Sequence, residues 1–359
     1  MSFAIKPRLL CLSCQYRAFS TSYSRPAQQA TKATKATTTK KPLASTTTTT
    51  NPPQPPKPIP PSPLKDAPRS YGKKVDGFTP TPLSRPIGLP YPPQPGQNTG
   101  VDRRTLKQRR DDFVNYEKHL QKREELKHKF SRPYFRDWGN LKHHGGKTFV
   151  APPRLFRGEY SLFFPNLYGR TLLKTDRAPR DTTPALRGKV SVVTVFSGAW
   201  AEGQAKTFAS AASNPELARA LEEDKDRAQL VRVNIEENWL KAMLIRLFMG
   251  SIRRQVGEPN WGRYFVVRKG ISDEIRERIG LLNSKVGYVY LLDGDCRIRW
   301  AGSGPSEDHE RQGLVKGLRK LLDEQKLLEG KKLEEKRLAE ETRLLEREKP
   351  LTKQKITKS

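Results

Sequence analysis

The sequence predicts an α/β fold, a mixed sheet with helices on both faces. Three observations lead there. An apolar run over Lys189–Phe196 passes through a Ser-Gly turn into a helical pattern. A second apolar run, Gln229–Ile235, follows that helix and leads into another. Finally, Lys285–Leu292 and Cys296–Ala301 flank Asp293-Gly294-Asp295, a strong hairpin signal.

Five segments follow along the chain. Residues 1–26 carry Lys6, Arg8, Arg17 and Arg25 among Leu, Ala, Phe and Ser, and no acid precedes Asp66. That composition reads as a mitochondrial transit peptide, the competing reading being a disordered basic tail. Residues 27–100 are rich in Pro and Thr and read as a disordered linker with polyproline character. Residues 101–159 hold a charged helix over about Asp102–Asp137, ended by Ser131-Arg-Pro133, and then an extended segment. Residues 160–328 form the folded domain, and 329–359 a charged helical tail.

Within the domain, Tyr160–Leu173 reads as a strand pair turning at Asn166–Gly169. The strand over Lys189–Phe196 leads to a helix over Glu202–Glu223. After the strand Gln229–Ile235 a second helix spans Glu237–Val256. Tyr264–Val267 is an extra strand, and Ile271–Ile279 a short helix. The hairpin then leads to a last helix near Ser306, where Ser306-Glu-Asp-His gives a weak N-cap pattern. The order is thioredoxin-like. Its first strand-turn-helix is similar to the place where thioredoxin-like proteins carry Trp-Cys-x-x-Cys. Trp200 is present here, but Ala201 and Gln204 stand in the sulfur positions.

This pattern argues against thiol catalysis, which needs a thiolate at the helix start. Asn283-Ser-Lys-Val286, before the hairpin, also lacks the proline common in that fold. Cys11 and Cys14 fall in the presequence, which leaves Cys296 without a partner; a lone cysteine is more often a small buried apolar residue than a nucleophile. No metal ligand spacing is legible among the five histidines, and His143-His144-Gly-Gly146 reads as a loop. Gly302-Ser-Gly304 reads as a turn. The sequence thus predicts no catalytic, cofactor or metal residue, and no membrane span.

The second helix offers the candidate contact surface. Leu240, Met243, Leu244, Leu247 and Phe248 recur at helical spacing, and no acid lies between Glu237 and Glu258. The first reading is a core helix with a basic exposed face. The alternative is a basic amphipathic surface for anionic lipid or an apolar client helix. On that alternative the partner-binding residues are Trp200, Trp239, Lys241, Ile245, Arg246, Met249, Arg253 and Arg254. The net charge of +30 also raises an RNA-associated or mitoribosomal function. Much of that excess lies outside the folded region, and no RNA-binding signature is legible.

Three segments carry a family resemblance: Phe164-Pro-Asn-Leu-Tyr-Gly-Arg-Thr-Leu172, Leu186-Arg-Gly-Lys-Val-Ser-Val-Val193, and Lys285–Gly302 with its Asp-Gly-Asp-Cys-Arg-Ile-Arg-Trp core. Together they resemble the mitochondrial ATP synthase assembly factor family called ATP ten, over about Phe130–Leu322. The resemblance implies a non-enzymatic chaperone, peripheral at the matrix face of the inner membrane. Its implied partner is the proton-channel subunit of the membrane sector, subunit a or 6, with no cofactor and no nucleic acid.

Overall fold

The computed structural model describes residues 63–356, apart from 72–73, 103, 131–132, 134 and 177. The presequence, with Cys11 and Cys14, and the linker up to residue 62 lie outside the described residues.

The rest of the expected linker is packed. Leu64, Ala67, Leu83 and Ile87 are buried in one core cluster, and Leu89 is buried as well. The strap is fastened by backbone bonds: Leu83 N–H donates to Val150 (3.1 Å), and Leu89 and Phe163 exchange a pair at 2.8 Å. Proline lowers the conformational entropy that such a segment loses on ordering, so a Pro-rich stretch folds once apolar anchors recur.

The charged helix expected over 102–137 is divided. Helix α1 (Leu106–Val114) begins in a capping box between Thr105 and Gln108. Asn115 is extended and its side chain accepts from the amides of Glu117 (3.1 Å) and Lys118 (3.2 Å), starting α2 (Tyr116–Phe130) afresh. Short α3 (Arg136–Asn140) follows.

The turn expected at Asn166–Gly169 is replaced by strand β1 (Tyr168–Thr171), paired with β2 (Arg180–Asp181). Asn166 is fully buried and bridges three segments. Its amide donates to the Gln97 carbonyl (2.8 Å) and Asp181 (2.7 Å), and its oxygen accepts from the Thr183 hydroxyl (2.8 Å) at the start of α4 (Thr183–Leu186).

Strand β3 (Val190–Phe196) is buried along its whole length. The helix expected over 202–223 begins earlier and splits into α5 (Gly198–Ala209) and α6 (Pro215–Glu223). Asn214 caps α6 through the Leu217 amide, and Pro215 takes the first helical position. After β4 (Ala228–Ile235), the helix expected over 237–256 kinks at Phe248 into α7 (Trp239–Leu247) and α8 (Met249–Val256). Strand β5 (Tyr264–Val267), α9 (Asp273–Arg278) and the hairpin β6 (Tyr288–Leu292) and β7 (Ile298–Ser303) complete the body. Helix α10 (Asp308–Ile356) joins the expected last helix and tail without a break. Lys326–Asp224 and Arg227–Glu329 ion pairs hold its middle to the body, and every residue over 326–343 is exposed.

Seven strands form one sheet in the order β2-β1-β5-β4-β3-β6-β7. The central pairs β3–β4 and β4–β5 are parallel, and the outer pairs antiparallel. The β3-α5-β4 crossover followed by the β6–β7 hairpin and α10 is the thioredoxin-like arrangement. Helices α5, α6, α8 and α10 cover one face. The other is covered by α9, by α4 and above all by the strap.

Candidate functional site

The β3–α5 junction lies at the carboxyl edge of the parallel strands, where open α/β sheets place their sites. Ser197 is extended and Gly198 has φ +83°, which turns the chain sharply into α5. Trp200, in the first turn of α5, is 63 % exposed, whereas Ala201 is fully buried. Gln204, in the second sulfur position, is a clamp. Its oxygen accepts from the Gly287 amide (3.0 Å) and its amide donates to the Gly145 carbonyl (2.8 Å). Gly287 itself passes so close that a Cβ there would sit 2.3 Å from the Ala201 carbonyl. Replacing Gln204 with Ala strands the buried Gly287 amide, at about 1–3 kcal/mol, and frees the half-buried Gly145 carbonyl, which water can reach; the loss should read as a lowered urea midpoint.

The loop before β6 uses its backbone donors internally. The amides of Asn283, Ser284, Lys285 and Val286 are all used internally, by Tyr288 (3.0 Å), Asp137 (3.3 Å), the Asn283 side chain (2.8 Å) and the Asn283 carbonyl (3.4 Å). A cleft of about 440 Å³ between this loop, Trp138 and Asn238 remains. Lys285 lies 5.4 Å over the Trp138 ring on its wall.

Cys296 is buried at the tip of the β6–β7 hairpin, and burial pushes its thiol up to about 12. At pH 8 only about one folded molecule in 10,000 then carries the thiolate. Alkylation of Cys296, followed by peptide mass spectrometry, should therefore be at least 100-fold slower in the folded protein than in urea. Among the described residues no group of three or more His, Cys, Asp or Glu is arranged to hold a metal. His144–Gly146 forms a short 3-10 turn, and no described helix is long and apolar enough to cross a membrane.

Helix α7 differs most from expectation. The stripe assigned first to the core, Leu240, Met243, Leu244, Leu247 and Phe248, is exposed together with Trp239. At about 100° per residue, these six cover one half of the helix circumference. Lys241 borders that half on one side and Arg246 on the other, both exposed. The inward half holds Ala242 and Ile245.

The eight expected contact residues therefore separate. Trp200, Trp239, Lys241, Arg246 and Arg254 are exposed. Ile245 and Met249 pack against the core. Arg253 is a structural tie, donating to the Leu172 carbonyl (2.7 Å) with its guanidinium 5.7 Å over Trp261. A groove of about 530 Å³ joins Gly198 and Ala199 of α5 to Leu244 of α7 and to Phe248 at the kink. Its floor is β4 and β5, through Arg232, Asn234 and Tyr264. None of these three was singled out from the sequence.

Residues 66–321 match the family model described as ATP10 protein. The match starts at Asp66, so it includes the strap. Among curated relatives, the mitochondrial ATPase complex subunit ATP10 of Eremothecium gossypii is 32% identical over 243 residues, covering 67% of this chain and 85% of the relative. The protein of the same name in Saccharomyces cerevisiae is 27% identical over 250 residues, covering 67% and 86%. Similar solved structures include a putative thiol:disulfide interchange protein DsbE from Chlorobium tepidum, at 13% identity and TM-score 0.29, covering 45% of this chain and 96% of that one. A secreted thiol-disulfide isomerase from Corynebacterium glutamicum reaches 10% and TM-score 0.31, covering 47% and 90%. The family match and the first relative each extend over two thirds of the chain or more, and the chain belongs to the ATP10 protein family.

Proposed function

We propose that the chain is an assembly chaperone for the membrane sector of the mitochondrial ATPase. It binds the unassembled proton-channel subunit, subunit a or 6, without catalysis, at the matrix side of the inner membrane. One observation carries this reading: an apolar half-helix on α7 is left exposed beside a sulfur-free β3–α5 junction. Contiguous apolar surface of this kind marks an interaction site. Relatives named as mitochondrial ATPase complex subunits support the setting. Binding needs no chemistry, which agrees with a junction whose second sulfur position is given over to an internal clamp.

The test is photo-crosslinking from α7 in mitochondria with freshly labelled translation products. Capture of the channel subunit is expected. Capture of ribosomal components alone, or of no product, would sink the reading.

A further inference from the structure

The groove floor holds polar groups that the fold does not use. Even-numbered positions of β4 face the α5 side of the sheet, with Ala228 and Leu230 packed in that core and Arg232 and Asn234 beyond them. Arg232 is half-buried, and its guanidinium has no hydrogen bond or ion pair among the described residues. Asn234 is 7 % exposed; its amide donates to the Tyr264 hydroxyl (3.3 Å), but its oxygen has no partner. A guanidinium drawn from water without an anion, beside an unpaired buried amide oxygen, is costly.

None of the acids that share its pockets forms an ion pair with it. Glu202 pairs with Lys206 at 2.9 Å, Glu222 lies 3.9 Å from Lys225, and Glu236 accepts from the Asn238 amide at 3.3 Å. Burial pushes the Tyr264 phenol up to about 12, so it remains a neutral O–H.

We propose that this groove binds an apolar helix through one carboxylate carried on it, with Arg232 as the receiving group. The inference deepens the client-binding reading and rests on it for the class of partner. Three observations select the occupant. The unpaired guanidinium selects an anion, and its planar fork matches a carboxylate. Leu244 and Phe248 belong both to the groove wall and to the exposed half of α7. A ligand that covers both is larger than a metabolite and mostly apolar. Lastly, β4 is paired on both sides, with β3 and β5, so no strand can be added there. A helix satisfies its own backbone and suits such a groove.

The test uses the full chain in neutral detergent micelles at pH 8. The probes are two fluorescent leucine-alanine helices of about 20 residues, one with a central glutamate and the other with glutamine there. The glutamate peptide should bind at least tenfold more tightly by anisotropy. Arg232→Gln should erase that preference without lowering Tm, while Arg232→Lys keeps part of it. Equal binding of both peptides, a preference that survives in Arg232→Gln, or a Tm drop in that variant would overturn the proposal. So would phosphatidylglycerol, added to the micelles at a few mole per cent, if it competes with the peptide in an Arg232-dependent way, because the anion would then be a lipid phosphate. Client capture from α7 without a glutamate preference sinks the groove alone. A glutamate preference without client capture sinks the chaperone reading alone.

Discussion

Replacing Leu247 and Phe248 together with serine should reduce crosslinking of the channel subunit from α7 at least tenfold and leave Tm nearly unchanged. The two side chains are 70 % and 62 % exposed, so folding buries little of them. Surface changes of this type stay within about 0.5 kcal/mol of neutral. Covering each side chain with a partner is worth about 1.5–3 kcal/mol. Losing even one such contribution weakens binding about tenfold, since 1.4 kcal/mol is a factor of ten. Ile245→Ser is the matched control. It lies on the same helix but packs inward, so it should lower stability. The assignment of the contact face fails if the outward pair leaves capture intact, or if it unfolds the protein as Ile245→Ser does.

The direction in which α7 faces was legible in one part of the sequence and hidden in another. Periodicity identifies a face of a helix, not which side it turns to the core. Leu240, Met243, Leu244, Leu247 and Phe248 recur as a core stripe would, yet they point outward. The inward stripe is Ala242, Ile245, Met249, Ile252 and Val256, at spacings of three, four, three and four across both helices. Only that second stripe continues through α8, and continuity over the whole segment was the available signal.

Strands β3, β4, β5 and β6 were legible as short apolar runs bounded by turn residues. The strap was not. Leu64, Leu83, Ile87 and Leu89 are buried yet sit among prolines without any period, because an extended segment crossing a sheet face contributes isolated anchors. The helix breaks at Asn115 and Asn214 had a local signal in their side chains, which cap the following helix. The absence of sulfur at the junction was readable from Ala201 and Gln204. The clamp made by Gln204 was not, because its partners Gly145 and Gly287 are 59 and 83 residues away in sequence.

The largest stability loss is expected behind that junction, at Lys147. Its ammonium is 3 % exposed and donates to Glu310 (2.7 Å), Glu307 (3.0 Å) and the Pro305 carbonyl (3.2 Å). The Glu310 carboxylate is itself fully buried and also accepts from the amides of Ala151 (2.8 Å) and Glu307 (3.0 Å). Together they bolt the segment over 144–151 to the start of α10, and that same segment supplies the Gly145 carbonyl for Gln204. Lys147→Met keeps the side-chain length and removes the charge. Glu310 is then left as a buried anion without its cation, a change that costs about 3–5 kcal/mol. Urea unfolding of the full chain should show a midpoint lowered accordingly. Lys147→Met with Glu310→Leu removes both charges, and an apolar replacement of a buried pair is often neutral. The buried Ala151 amide still loses its acceptor, at about 1–3 kcal/mol, whereas the Glu307 amide is half-buried and can turn to water, so the double variant should regain only part of the loss. Equal stability of Lys147→Met and the wild type would show that water reaches Glu310. A double variant less stable than Lys147→Met would show that Glu310 acts mainly as an acceptor for the two amides. Either result would contradict a charge pair as the bolt.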